Sequence, residues 1–293
     1  MSIKDHAMIV SLTVNKPQMT QKDHKATNDA EVANDAHGAG QYRKDLYPKM
    51  LIQPILTVES SARAYMESTT YPWNRGEYLL PTTRFMTFAD RLAKFELEFN
   101  QSVTAFMNNW ANVMDRAKLS QGNLFDANAY PDLSDLRNDF RFRIMYRPVS
   151  DAGDFRVAMQ EEELTRLREQ VELATKESMD AIMKAPLERL RDVVSHLNDV
   201  TGKTDRKVFN KKTGAEEFKP PIFRDSVCDN IIEEIELLHD FAAMLPQDIL
   251  SVAKTTINIL PKPQELRDDA EKRAVVNQQT QKLLSVIDNM LED

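Results

Sequence analysis

Residues 83–119 read TRFMTFADRLAKFELEFNQSVTAFMNNWANVMDRAKL. Large apolar side chains recur in this stretch every three or four residues, a spacing that places them on one side of an α-helix. The apolar positions are Phe85, Phe88, Leu92, Phe95, Phe99, Val103, Phe106, Trp110 and Val113. We predict one long helix over residues 83–119, with this stripe in a helical core. The regular spacing disfavours the alternative, in which the aromatic side chains form a platform for stacking bases.

A second long helix is predicted over residues 159–200. Its apolar positions are Leu164, Leu167, Val171, Ala174, Ile182, Leu187, Leu190, Val194 and Leu197. Three glutamates, Glu161 to Glu163, stand in its first turn, where the helix dipole favours negative charge. Pro186 should bend this helix, because proline removes a backbone hydrogen bond.

The rest of the chain predicts shorter helices and a few strands. The predicted helices cover residues 22–36, 46–69 (kinked or restarted at Pro54), 132–139, 224–245, 246–260 and 263–293. The predicted strands cover residues 7–14, 140–148 and 155–157, and residues 71–76 read as a turn. The fold class is therefore mainly α with a small β element (α+β), with long antiparallel helices, a two- to three-stranded sheet and a protruding basic β-hairpin.

We expect a single elongated domain over residues 1–293, with residues 201–222 inserted as the basic hairpin. The two long helices should pair as an antiparallel hairpin, and strand 7–14 should pair with strand 140–148. We expect strand 7–14 to be an edge strand, and this strand and the long apolar stripes could also pair between chains. A homo-oligomer is thus compatible with the sequence.

Composition excludes several classes of site. No apolar run approaches the length of a membrane span, and the first residues carry charges where a signal peptide needs an apolar core. Cys228 is the only cysteine, so there is no intramolecular disulfide and no zinc site built from thiolates. The five histidines lack the spacing of metal ligands. We expect no membrane contact, a cytoplasmic location (the host cytoplasm for a phage protein), and no metal or other cofactor.

The chain also lacks a recognisable catalytic motif. Gly202, Lys203 and Thr204 resemble the end of a phosphate-binding P-loop, but the glycine required five residues earlier is replaced by Leu197. There is no GxGxxG sequence, and Cys228 is expected to be buried and unreactive in an amphipathic helix. The paired carboxylates Glu233 and Glu234 stand at helix positions that look exposed. We expect a protein that is not an enzyme.

Positive charge is concentrated in residues 202–224, which read GKTDRKVFNKKTGAEEFKPPIFR and are called the basic segment below. It holds seven Lys or Arg residues and three Asp or Glu residues, whereas the whole chain has 38 Lys+Arg against 46 Asp+Glu. Such patches are typical of surfaces that bind polyanions. The alternative is a solvated loop that keeps the protein soluble.

If the basic segment binds nucleic acid, its side chains divide into two roles. The residues expected to contact phosphates are Lys203, Arg206, Lys207, Lys211, Lys212 and Lys219. Phe209, and with less support Phe218 and Phe223, could stack on bases. Residues 208–215 resemble a hairpin tip, where Gly214 can adopt a positive φ. Neither role reads a base sequence, so binding should tolerate any sequence.

Residues 140–148, FRFRIMYRP, could provide a second phosphate-binding surface. In a strand, Phe140, Phe142, Ile144 and Tyr146 would lie on one face and Arg141, Arg143 and Arg147 on the other. An arginine face backed by buried aromatic side chains could contact phosphates. The alternative is a half-buried strand whose arginines pair with nearby acids such as Asp135 and Asp139.

The chain resembles a bacteriophage family of helical proteins without an assigned function. The resemblance rests on SLTVNKPQMTQKD (residues 11–23) and FRFRIMYRPVSDAGDFRV (140–157). In that family an N-terminal strand leads into a polar segment, and a strand ending in proline, followed by Asp/Gly-Asp-Phe-Arg-Val, precedes a long helix. Pro148 and residues 151–157 stand in that order here. The layout matches over about the first 200 residues.

In size and in its acidic, helical character the chain is also similar to the novel-fold single-stranded-DNA-binding cofactor of the RNA polymerase of N4-type phages. That resemblance implies binding of single-stranded DNA at locally melted promoters and recruitment of the phage RNA polymerase. It identifies no individual site residue.

Together these observations predict a non-enzymatic, sequence-tolerant single-stranded-DNA-binding phage protein that acts in transcription. The alternative is a helical scaffold or adaptor for a phage ATPase or polymerase complex that does not contact nucleic acid.

Overall fold

The structure is a computed structural model that describes residues 5–149, 161–203, 206–209, 216–219 and 223–292. The helices are α1 (His24–Ala33), α2 (Lys49–Thr69), α3 (Phe85–Asn108), α4 (Trp110–Gln121), α5 (Leu133–Asp139), α6 (Glu161–Thr201), α7 (Ser226–Asp240), α8 (Gln247–Ile259), α9 (Pro263–Asp268) and α10 (Ala270–Glu292). The predicted fold class, mainly α with a small β element, is confirmed.

The described strands form one four-stranded sheet and two small ribbons. The strands are β1 (Ala7–Asn15), β2 (Thr20–Lys22), β3 (Arg43–Asp45), β4 (Tyr71–Asn74), β5 (Glu77–Pro81), β6 (Arg141–Pro148), β7 (Arg206–Phe209) and β8 (Glu216–Lys219). The sheet has the order β4-β5-β1-β6, and the ribbons are β2-β3 and β7-β8. The expected pairing of the first strand with the strand at residues 140–148 is therefore present.

Strand β1 occupies an inner position of the sheet, between β5 and β6. The prediction that it is an edge strand available to a second chain is thus wrong. Its two neighbours already use both rows of its backbone hydrogen-bonding groups, and Val10 and Leu12 on it are buried.

Residues 71–76, predicted as a turn, belong instead to the hairpin of β4 and β5. Tyr71 pairs with Leu79, and Pro72 pairs with Tyr78. Proline is tolerated there because β4 is the outer strand in the sheet order. The turn itself is shorter and contains Gly76, whose φ of 77° suits glycine.

Two predicted helices are divided in the structure. The stretch over residues 83–119 forms α3 and α4, which meet at Asn109, where φ is −98° and ψ is 17°. The last predicted helix forms α9 and α10, because Asp269 takes an extended conformation and caps the second helix. Its Oδ1 accepts hydrogen bonds from the backbone N–H groups of Glu271 and Lys272 at 2.9 and 3.0 Å.

Two helices contain an internal proline. Helix α2 runs through Pro54 without restarting, and α6 contains Pro186. The predicted strand over residues 155–157 lies outside the described residues.

The described chain divides into two compact units. Unit 1 comprises Met1–Ile9, Thr69–Arg84 and Arg147–Asp293, and unit 2 comprises Val10–Ser68 and Phe85–Tyr146. The two helices that were predicted to pair, α3 and α6, belong to different units.

In unit 1, α6 packs against α7 and runs antiparallel to α10. Lys184 reaches the carbonyl of Leu291 at 3.2 Å, while Asn198, at the other end of α6, contacts Asn277. The core of this unit joins these helices to the β4-β5 hairpin through side chains such as Leu190 and Ile231. Long antiparallel helices are therefore present, with α10 as the partner of α6.

In unit 2, the core is built around the apolar stripe of α3. The stripe positions Phe88, Leu92, Phe95, Phe99, Val103 and Phe106 are all buried. Phe99 lies 5.5 Å from the ring of Phe142 in β6, and Phe106 lies 5.7 Å from that of Tyr47. The stripe is therefore helical core, as predicted, and is not available to bases.

Candidate nucleic-acid interface

The basic segment contains the two-stranded antiparallel ribbon of β7 and β8, which we call the basic ribbon. Its register pairs Arg206 with Lys219, Lys207 with Phe218, Val208 with Glu217 and Phe209 with Glu216. The predicted hairpin in this segment is therefore present, with its strands on either side of residues 210–215.

The register decides which residues share a face of the basic ribbon. Residues that pair directly in an antiparallel ribbon lie on the same face, and successive residues alternate between the faces. One face therefore holds Lys207, Phe209, Phe218 and Glu216. The opposite face holds Arg206, Lys219, Val208 and Glu217. The first face has one cation and one glutamate, and the second has two cations and one glutamate, but both phenylalanines lie on the first face.

The basic segment also contains predicted site residues outside the ribbon, namely Lys203, Lys211, Lys212 and Phe223. Lys203 is exposed and lies two residues after Thr201, the last residue of α6. Lys211 and Lys212 lie outside the described residues. Phe223 is only 5% exposed and belongs to the core of unit 1, so its suggested role in base stacking is wrong.

The arginine strand β6 has the predicted alternation at its start. Phe140 and Phe142 are buried, whereas Arg141, Arg143 and Arg147 are exposed. Aromatic packing against α3 explains this orientation, since Phe140 lies 6.0 Å from the ring of Phe106.

The partners of the three arginines differ from those suggested by the sequence. Arg141 donates through Nε to the carbonyl of Asn138 at 3.0 Å, and Arg147 forms an ion pair with Glu77. Arg143 has no hydrogen bond or ion pair with the described residues. Within those residues, none of the three pairs with Asp135 or Asp139. Among the described residues, Arg143 is therefore the arginine of β6 whose guanidinium has no hydrogen-bond or ion-pair partner.

The two groups of candidate cations belong to different units. Arg141 and Arg143 are in unit 2, while Arg147 and the basic ribbon are in unit 1. In the ribbon, the paired strands contain two phenylalanines as well as cations.

Unit 1 also contains a buried polar cluster that the sequence did not reveal. Glu234, expected to be exposed, is only 9% exposed. The hydroxyl of Tyr71 donates to its Oε1 at 2.9 Å, and Arg189 Nε lies 3.9 Å from its Oε2. Arg189 also donates to the carbonyl of Thr70 at 3.0 Å. The cluster thus connects β4, α6 and α7.

Burial governs the titration of this cluster. It raises the pKa of Glu234, and Arg189 and the Tyr71 hydroxyl oppose the rise. Burial, with the nearby Glu234, also raises the pKa of Tyr71, so the phenol stays protonated and donates. One sequence signal could have located Glu234, since it lies three residues after Ile231 and four before Leu238 on the apolar face of α7.

Cys228 is buried, as predicted. Burial raises the pKa of its thiol to about 11, so the nucleophilic thiolate is scarce at neutral pH. Across the part of the chain that the structure describes, no group of three His, Cys, Asp or Glu side chains is placed to hold a metal ion. None of the described helices combines the length and apolar character needed to cross a membrane.

No family model, curated protein or solved structure matches the chain. The functional proposal therefore rests on the chain's own surface.

Proposed function

We propose that this protein binds single-stranded DNA without sequence preference and does so through the basic ribbon, without catalysing a reaction. The observation that carries the proposal is the register of the ribbon, which places Lys207, Phe209 and Phe218 on one face. A cation next to two aromatic residues is the combination that holds a phosphate backbone while bases stack.

The aromatic residues favour single strands over duplexes. A phenylalanine can stack only on a base whose face is open, and bases in a duplex already stack on each other. Each stacked base contributes about 1–3 kcal/mol in known single-strand binders. The lysines would contact phosphates, which are identical in every sequence.

In biological terms, the proposed role is that of a phage transcription cofactor that holds melted promoter DNA and recruits the phage RNA polymerase. This role rests on the resemblance, in size and in acidic, helical character, to the single-stranded-DNA-binding polymerase cofactor of N4-type phages. In unit 2, Arg141 and Arg143 would provide further phosphate contacts, with Arg143 the principal contributor because it has no partner among the described residues. Arg147, which is ion-paired with Glu77 in unit 1, would contribute less.

The test is a titration of a fluorescent oligothymidylate and of a duplex of equal length at several salt concentrations. We expect the single strand to bind more tightly, with affinity falling as salt rises. The logarithmic slope should change by about 0.7 for each phosphate contact that is removed, for example by Lys207→Ala.

Matched variants separate stacking from charge. Phe209→Ala and Phe218→Ala should weaken binding with little change in the salt slope, because neither removes a cation. Tyr42→Ala is the aromatic control, since Tyr42 is 46% exposed in unit 2. If both phenylalanine variants bind like the wild type and the Tyr42 variant, the ribbon face is not the binding surface.

A second candidate function is a helical scaffold for a phage ATPase or polymerase complex. It is favoured by a groove of about 440 Å³ in unit 2, where Met50 and Leu119 are 71% and 87% exposed. Exposed apolar side chains of this size are typical of protein-binding surfaces when they occur together. Absence of wild-type binding to either oligonucleotide at low salt would favour this role over DNA binding.

A further inference from the structure

The basic segment is held on both sides by residues outside it. We propose that Asn277 and Arg267 are positioning residues that fix the two flanks of the basic ribbon and so order it before it binds. The functional part of this inference rests on the DNA-binding role proposed above. Neither residue belongs to the proposed binding face.

Asn277 holds the flank that precedes the ribbon. Its Nδ2 donates to the carbonyl of Asn198 at 2.7 Å, to Asn198 Oδ1 at 3.0 Å and to Thr201 Oγ1 at 3.3 Å. The Asn198 carbonyl also accepts the backbone N–H of Gly202 at 2.9 Å, so Asn277 supplies it with a second donor. Helix α10 therefore provides an external cap for the end of α6, at the point where the chain leaves for the ribbon.

Further contacts keep this cap in place. Thr280 is fully buried, and its hydroxyl donates to Asn198 Oδ1 at 2.9 Å, which orients the Asn198 amide. Gln281 donates to Asn277 Oδ1 at 3.2 Å, which leaves Nδ2 of Asn277 facing α6.

Gly202 gives independent support for a close approach at this point. A Cβ added to it would lie 3.1 Å from Asn277 Nδ2 and 3.3 Å from the carbonyl oxygen of Asn198. Both distances are shorter than ordinary contacts between carbon and such atoms. The first residue of the basic segment is therefore packed so closely against the cap that only glycine fits without displacement.

Arg267 holds the flank that follows the ribbon. Its Nε donates to the carbonyl of Phe223 at 3.0 Å, and its guanidinium forms an ion pair with Asp225. Phe223 is buried in the core of unit 1, which fixes the backbone to which Arg267 binds. Both anchors thus come from the α9–α10 part of the chain.

Anchoring matters for affinity because a segment that is already ordered loses less entropy on binding. Loss of an anchor lowers the fraction of molecules whose ribbon is ready to bind, and the apparent Kd rises in inverse proportion to that fraction. The number of phosphate contacts does not change, so the salt slope should stay the same.

The experiment combines hydrogen exchange of the ribbon amides with the oligothymidylate titration. The variants are Asn277→Leu, Asn277→Asp, Gly202→Ala and Arg267→Gln. We expect faster exchange in residues 206–209 and 216–219 and binding that is about three- to tenfold weaker, at an unchanged salt slope. Asn277→Asp should behave like Asn277→Leu, because aspartate keeps the shape of the side chain and cannot donate when ionised.

Gln278→Leu is the matched control. It also replaces a side-chain amide by leucine, one residue from Asn277 and at an exposed position, and should leave exchange and affinity at wild-type values. If Asn277→Leu also accelerates exchange throughout α7, the variant has lost its fold, and Gly202→Ala and Arg267→Gln carry the test.

The outcomes separate this inference from the proposed function. Wild-type exchange rates in the ribbon of every folded anchor variant would overturn the positioning role, whatever the affinities are. Faster exchange in a protein whose wild type binds no oligonucleotide would support the positioning role and remove the DNA-binding proposal. A changed salt slope in the anchor variants would contradict a role limited to positioning.

Discussion

Replacing Tyr71 with phenylalanine tests the buried cluster of unit 1 directly. Tyr71 is fully buried, and its ring lies 4.7 Å from that of Phe241, so phenylalanine should keep the packing. The variant loses the 2.9 Å hydrogen bond from the phenol to Glu234. A hydrogen bond to a charged group contributes about 1.5–3 kcal/mol, and one between neutral groups about 0.5–1.5 kcal/mol.

The cost of Tyr71→Phe should depend on pH. Burial raises the pKa of Glu234 in the folded protein above its unfolded value of about 4.3, so this residue's contribution to stability is lost as pH rises through the folded pKa. The Tyr71 hydroxyl lowers that pKa, and its removal raises it further. The loss should therefore grow with rising pH, from about 0.5–1.5 kcal/mol where Glu234 is protonated toward about 1.5–3 kcal/mol where ionised Glu234 loses its donor.

The assay is urea denaturation of the wild type, Tyr71→Phe, Glu234→Gln and the double variant at pH 5 and pH 8. In the Glu234→Gln background, Tyr71→Phe should cost less, and its cost should no longer depend on pH. Tyr42→Phe is the control, because Tyr42 is 46% exposed, and should change the free energy of unfolding by less than about 0.5 kcal/mol. A Tyr71→Phe cost equal to that of Tyr42→Phe, or one that shrinks with rising pH, would refute the reasoning.

Three further predictions concern packing, capping and thiol chemistry. Phe99→Ala should lower the free energy of unfolding by about 3–5 kcal/mol because Phe99 is fully buried, whereas Leu97→Ala, at a position 58% exposed on the same helix, should cost far less; equal urea midpoints would contradict the core assignment. Asp269→Ala should cost about 1 kcal/mol through loss of the α10 cap, and a circular-dichroism melt indistinguishable from that of the wild type would speak against it. Cys228 should react with a thiol reagent at pH 8 only after urea unfolds the protein, since burial raises its pKa to about 11; rapid labelling of the folded chain would show otherwise.

Helix α3 shows which part of the fold is predictable from sequence. Its apolar stripe is set by a spacing of three and four residues, which is a local property of the helix. The ends of helices were less predictable. The break between α3 and α4 at Asn109 depends on a single residue in a non-helical conformation, and so does the break between α9 and α10 at Asp269.

The β4-β5 hairpin shows why other parts were not predictable. Pro72 and Gly76 both indicate a turn in the sequence, yet Pro72 lies in a strand. It is accepted because β4 ends the sheet, and that position depends on which strands pair over long sequence distances. Pairing over long distances likewise makes β1 an inner strand and removes the reason to expect oligomerisation through it.

The candidate site was only partly predictable, because it too depends on how strands pair. The excess of positive charge in the basic segment follows from composition, but the grouping of Lys207 with Phe209 and Phe218 depends on the register of the ribbon. A shift of one residue would pair Lys207 with Glu217 and move Phe218 to the face of Arg206. Charge would be unchanged, while the lysine would face an acid and the two phenylalanines would separate. The DNA-binding proposal therefore depends on the register of the ribbon as well as on its charge. The Phe209 and Phe218 variants test the grouping of residues on one face, which composition alone does not determine.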